Sequence, residues 1–366
     1  MHVAILIGHF PPGSFGGAEI QAEGWAKRLC DRHRVTVITR HDPPVTPAHE
    51  EREGFHIVRL PVSRVPLWRT FADSAAIGRA VRALAPRPDV LLCFQTFISG
   101  WAGVRAGKES GIPAIVWIRG EAEYRLGASR VHRRVSPGVW RDAASVLVQS
   151  EQNRIELLQE LERHAPALLP LIRVKLEVVP NGLELPEGPF APGARVLSVA
   201  RLIPDKGMDT VIDAAAAAHL PLTIAGDGPE RAALESRARA ADVDCTFTGF
   251  VSRAQLDTHY RNASAVVLAA RRGEGLPNVL LEAMAYARPV IATPCAGTRD
   301  LLVDGANGLL IAPDDAPALA RALTRLREEP GLAARLGAAA RASAERYGWE
   351  HVRPKLEALL AKQVRA

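Results

Sequence analysis

The chain has 366 residues, a length that favours two domains over one core. Apolar residues make up 48 % and charged residues 23 %, the proportions of an ordinary folded protein, and 46 basic against 40 acidic side chains leave a formal charge of +6. That balance suits an anionic small ligand or surface without requiring nucleic acid, and the four cysteines (Cys30, Cys93, Cys245, Cys295) have no metal or redox spacing and read as reduced packing residues.

"MHVAILIGHF" enters a strand with no basic leader, and no apolar stretch approaches the roughly 18 residues of a spanning helix. A cytoplasmic protein is therefore expected, with a peripheral place on the inner face of the membrane left open. "HFPPGSFGGAEIQ" follows the first strand. Gly16 and Gly17 let backbone come close to a ligand and open a helix expected over Ala18–Asp31. The G-x-G-x-x-G spacing is missing, and the next strand, "RVTVITR", ends in Arg40 rather than an acid, so no nicotinamide cofactor is expected.

"FHIVRLP", "DVLLCFQ", "IPAIVWIR", "SVLVQS" and "KLEVVPNG" continue the series as nearly unbroken apolar runs, the pattern of buried parallel strands, with helices such as Glu151–Arg163 falling among them. The segment Arg119–Arg141 carries six arginines and two glutamates, with Tyr124, Leu126, Val131 and Trp140 interleaved. It reads either as a solvated basic face or as a surface for anionic lipid headgroups and a lipid-linked acceptor.

"NGLELPEGPFAPGA" has no periodicity and is rich in Pro and Gly. Residues 184–194 are expected to link a first domain, 1–183, to a second, 195–346. In the second domain "RVLSVAR", "PLTIAGDG", "CTFTGF", "SAVVLAA", "PVIAT" and "GLLIAP" are strands, and helices such as Met208–Ala218 and Arg231–Ala241 separate them. Residues 347–366 form a last helix with no strand after it. Two doubly wound α/β units imply two Rossmann-like domains facing a cleft, with ligands beyond the carboxyl ends of the strands.

Arg201 ends one strand and Lys206 opens the next helix: either two exposed cations or a pair suited to a diphosphate. In "RRGEGLPNVLLEAMAYARPVIAT" Pro277 fits a first helical turn, so the N–H groups of Asn278, Val279 and Leu280 offer an anion site. Glu282, one turn beyond Asn278, is poorly placed for phosphates and well placed for a ribose diol. Glu274, between Gly273 and Gly275, could hold hydroxyls of the group the diphosphate carries. The plainer reading makes Glu274 a loop carboxylate and pairs Glu282 with an arginine such as Arg288.

"EGLPNVLLEAMAYARPVIAT" resembles the E-x7-E signature of the retaining glycosyltransferases of family 4, which have the GT-B fold. "SVARLIPDKG", "VPNGLEL", "GGAE" and "YGWE" resemble further landmarks of that family, the last of them the start of a C-terminal helix, 347–366, that crosses back to pack on the first domain, so the likeness covers nearly the whole chain. It implies transfer of a sugar from a nucleoside diphosphate sugar to the hydroxyl of a glycan, lipid-linked or small-molecule acceptor. It also implies retained configuration, no metal and no further cofactor, as in polysaccharide or glycoconjugate synthesis.

Arg201, Lys206 and Glu274 take the catalytic places in that likeness. Gly16 and Gly17 lie beside the donor phosphate, and Phe250 and Val251 beside the base. Gly275, Leu276, Asn278, Val279, Leu280 and Glu282 complete the donor site. Arg119 stands where many members have a histidine near the transferred sugar, and with Glu19 it is a sugar or acceptor candidate. Arg119 could read a uronate or an acceptor phosphate, or pair with Glu121 or Glu19. A nucleotide-sugar epimerase and a non-catalytic nucleotide-sugar or glycan binder are the rival functions.

Overall fold

The computed structural model describes all residues except 14–15, 42–45, 62–68, 192, 273–274 and 366. The chain forms two compact units, Met1–Gly182 with Trp349–Ala366, and Leu183–Gly348. The fold is α/β, each unit a Rossmann-like sheet with helices.

The first unit contains strands β1 (His2–Leu6), β2 (Arg34–His41), β3 (His49–Arg52), β4 (Phe55–Pro61), β5 (Val90–Phe94), β6 (Ala114–Trp117), β7 (Ser145–Val148) and β8 (Leu176–Val178). Their order is β3-β4-β2-β1-β5-β6-β7-β8. Every pairing is parallel except β3 with β4. The apolar runs become strands because both faces are covered: Val3 and Ile5 enter one core cluster, Ala4 and Leu6 the other. The edge strand β3, "HEER", was not expected, since its charges hide it from a hydrophobicity reading; charge at a sheet edge discourages pairing with other chains.

The last helix, Trp349–Arg365, packs in the first unit. Its Trp349, Val352, Leu356 and Leu360 join the cluster of Trp25, Val37 and Trp117. Trp349 meets Trp25 edge-on at 5.0 Å and lies so close to Gly182 that a Cβ there would collide with its ring. The Gln21 amide fixes the same glycine, donating to its carbonyl and accepting from its N–H, both at 2.9 Å.

The second unit contains β9 (Arg195–Val199), β10 (Leu222–Ala225), β11 (Cys245–Gly249), β12 (Ala263–Leu268), β13 (Val290–Ala292) and β14 (Leu309–Leu310), ordered β11-β10-β9-β12-β13-β14 and all parallel. Residues 184–194, expected to be a linker, belong to this unit. Phe190 packs edge-on against Tyr286 at 5.5 Å, with Arg261, Arg288 and Arg341 around its ring, and Arg288 donates to the Ala191 carbonyl at 2.8 Å. One aromatic amid Pro and Gly was enough to anchor the stretch.

Candidate active site at the strand ends of the second unit

In this strand order the chain runs to one side of β9, then crosses to β12 on the other side, so the switch point of the doubly wound sheet lies between β9 and β12. Arg201 and Lys206 follow β9; Gly275, Leu276 and the helix Asn278–Ala285 follow β12. The structure therefore brings the two groups of expected donor residues to one crevice of one sheet. Gly273 and Glu274 lie outside the described residues.

The turn after β9 is held by close backbone packing. Leu202 N–H donates to Asp227 O at 2.9 Å, and Glu230 N–H donates to Leu202 O at 3.2 Å. Gly207 has φ +63°, and a Cβ there would collide with the carbonyl of Ala269, the residue after β12. Arg271 closes the same contact: it pairs with both oxygens of Asp209 at 2.7–2.8 Å, pairs with Asp314, and donates to Pro204 O. Burial raises the Asp209 pKa, but the Arg271 hydrogen bonds outweigh it and hold the carboxyl below its usual range. In this rigid frame the Arg201 guanidinium is exposed and meets no acceptor among the described residues, while Lys206 is half-buried beside it in sequence.

Across the switch point, the helix Asn278–Ala285 follows the carboxyl end of β12 and begins after Pro277, so the positive end of its dipole lies on the strand-end side. Gly297, in the helix Ala296–Leu301, supports the preceding loop: a Cβ there would collide with Gly275 O. Sequence reading passed over Gly297, because only the approach of two distant loops requires it.

Glu282 is 6 % exposed. Its Oε1 accepts from Arg253 Nη1, and its Oε2 accepts from Tyr260 Oη at 2.8 Å. The expected alternative partner, Arg288, is instead spent on the carbonyls of Tyr286, Ala191 and Ala263. Arg253 opens the helix Arg253–Arg261, which is started by a capping box: Ser252 Oγ accepts from Gln255 N–H, and Gln255 Oε1 accepts from Ser252 N–H. That S-x-x-Q signal was readable, but nothing local ties Arg253 to Glu282. Phe250, just before, is 60 % exposed, while Val251 packs on the core.

Gly16, Gly17, Glu19 and Arg119 belong to the first unit. Gly16 caps the helix Gly17–Leu29, and the Glu19 carboxylate folds back over it. Arg119 is buried between Phe94 and Trp117, its guanidinium 5.2 and 4.9 Å from their rings, and Nη2 donates to Asn181 Oδ1 at 2.7 Å. Burial pushes its pKa down to about 9, against the pull of Glu123 and Glu19. The suggested Arg119–Glu121 pair does not form; Glu121 pairs with Arg125. The organising acid is Glu123, which accepts from Thr96 N–H at 2.6 Å and Arg119 N–H at 2.8 Å and so ties the ends of β5 and β6.

In the basic segment, Tyr124, Leu126 and Trp140 are in the core rather than interleaved on the surface; Val131, at 60 %, is the exposed member of that set. The helix Arg130–Asp142 turns Trp140 inward and leaves Arg130, Arg133 and Arg134 exposed, while Tyr124 and Leu126 are buried from the short helical turns before it.

Two doubly wound units of this kind, the second with a cation-bearing turn and a helix start at its switch point, define the GT-B fold. Two family models match successive parts of the chain: a glycosyl transferase 4-like domain over residues 16–182 and the glycosyl transferases group 1 over residues 187–343. The chain belongs to these family 4 glycosyltransferases.

An exopolysaccharide phosphotransferase of Streptomyces coelicolor is 29 % identical over 353 residues, 92 % of this chain. The chain spans only 36 % of that protein's length. Sucrose-phosphate synthase from Thermosynechococcus elongatus superimposes with a TM-score of 0.83 at 21 % identity, covering 99 % of this chain and 98 % of that one. Anabaena HepE in complex with UDP-glucose gives 0.80 at 20 %, covering 99 % and 100 %. At such identities these two structures establish the shared fold.

Proposed function

We propose that the chain transfers a sugar from a nucleoside diphosphate sugar to an acceptor hydroxyl with retention of anomeric configuration, in the synthesis of a polysaccharide or glycoconjugate. The observation that carries this reading is the convergence, at the switch point, of an exposed arginine, a lysine five residues on and the first turn of the helix after Pro277. Negative charge grows on the diphosphate as the sugar leaves, and fixed cations and amides stabilise it without reorganising. Arg201 and Lys206 bind that leaving group in place of a metal, and no further cofactor takes part. Glu282 accepts from the ribose, Phe250 and Val251 lie along the base, and Glu274 contacts the transferred sugar. Gly16 and Gly17 belong to the donor phosphate region and Glu19 to the sugar and acceptor side, while Arg119, buried between Phe94 and Trp117, supports that side without contacting the sugar.

HepE, which shares the fold, binds UDP-glucose, and this supports a nucleotide-sugar donor. The exposed Arg130, Arg133 and Arg134 support peripheral contact with an anionic membrane, although the buried aromatics leave charge rather than insertion as its basis. No helix among the described residues is long and apolar enough to cross a membrane.

A donor panel tests the reading. Release of nucleoside diphosphate with a product of unchanged anomeric configuration, undiminished by a chelator, is the expected result. Epimerised donor without acceptor, or tight binding without turnover, would replace it with one of the rival functions. Vesicle binding that rises with anionic lipid and falls with salt is expected; equal, negligible binding to neutral and anionic vesicles would remove the membrane from the proposal.

A further inference from the structure

Glu282 poses a difficulty for the donor site proposed above. It is an almost fully buried carboxylate whose two oxygens both already accept hydrogen bonds, and it stands one turn from a helix start meant for a diphosphate. An unpaired carboxylate there would repel the ligand.

We infer that Arg253 is a positioning residue for the donor: with Tyr260 it neutralises and orients Glu282 so that one lone pair on each carboxylate oxygen remains for a vicinal ribose diol. A carboxylate has about four acceptor sites, and the two protein donors use one on each oxygen. Tyr260 is itself fixed, buried at 1 % exposure and stacked on Tyr286 at 5.3 Å, while Tyr286 donates to Asp257. Arg253 is held by the capping box but keeps 53 % of its side chain exposed, so it is the partner that can be changed without opening the core. The guanidinium also offsets the Glu282 charge beside the diphosphate.

The inference rests on the ribose role of Glu282, and the test separates the two. Binding of ribonucleoside and 2′-deoxyribonucleoside diphosphates is measured for the intact chain and for Arg253→Ala, Arg253→Lys and Glu282→Ala. Arg253→Ala is expected to bind the ribonucleotide roughly three- to tenfold more weakly, the loss of a half-exposed charged hydrogen bond. It should also lose most of the ribose preference while melting as the intact chain does. Arg253→Lys should recover part of the preference, and in turnover the donor KM should rise more than kcat falls. An unchanged ribose preference in Arg253→Ala, or tighter binding by it, with Glu282→Ala impaired, would overturn the role of Arg253 alone. Unchanged binding by Glu282→Ala would overturn the ribose role beneath it.

Discussion

The strand ends of the two sheets carry the same kind of residue and use it in opposite ways. In the second unit, glycines let loops touch backbone to backbone, an internal Arg271–Asp209 clamp does the holding, and Arg201 is left facing solvent. In the first unit, Arg119 is drawn inward, laid between two aromatic rings and tied to Asn181, which also accepts from Gln149 at 2.9 Å. A cation is useful to an anionic ligand only where the frame stands without it.

The largest expected effect is at Arg201 and Lys206. Alanine at either should lower kcat on the order of a hundredfold, since the leaving group loses a preorganised cation, and should move stability by less than about 0.5 kcal/mol. Steady-state kinetics beside thermal melts check this, and near-normal kcat in both variants would remove them from the mechanism.

Gly207→Ala comes next. A side chain at φ +63° against Ala269 O should cost about 2 kcal/mol and displace the turn that carries Lys206, so denaturant stability and kcat should fall together. Loss of stability with intact turnover would show that the frame does not position the cation.

Arg119 probes the other side of the contrast. Arg119→Ala should cost about 2 kcal/mol through the emptied space between Phe94 and Trp117, whereas Arg119→Met, apolar and of similar length, should stay within about 1 kcal/mol. Arg119→Met should also leave the choice between a hexuronate and the matching neutral hexose donor unchanged. A shift in that choice at an unchanged melting temperature would make this buried cation a specificity residue and break the contrast.

The smallest effect concerns the Arg271 clamp. The Asp209 pKa is lowered on folding, so the unfolded state binds more protons as pH falls through the carboxyl range. The stabilisation is fully present above the unfolded pKa and is lost as pH falls through the lower folded pKa. Because both side chains are partly exposed, it should be worth less than about 1 kcal/mol. Asp209→Asn should remove that part of the acid limb of the stability curve; an unchanged acid limb would show the clamp to be neutral.

The sequence by itself determined the two doubly wound units, since buried parallel strands must be apolar along their whole length, as "HVAILIG" and "SAVVLAA" are. It also determined the helix start after Pro277, because Pro277 and the residues after it act on their own backbone. These are local effects of a few neighbouring residues. Only the tertiary structure decided that Glu282 meets Arg253 and Tyr260 rather than Arg288, that Phe190 packs against Tyr286, that Trp140 turns into the core, and that Gly297 must lack a side chain. Each joins groups tens of residues apart, where no periodicity or propensity connects them, and each was settled by which neighbour could best satisfy a buried charge, ring or carbonyl.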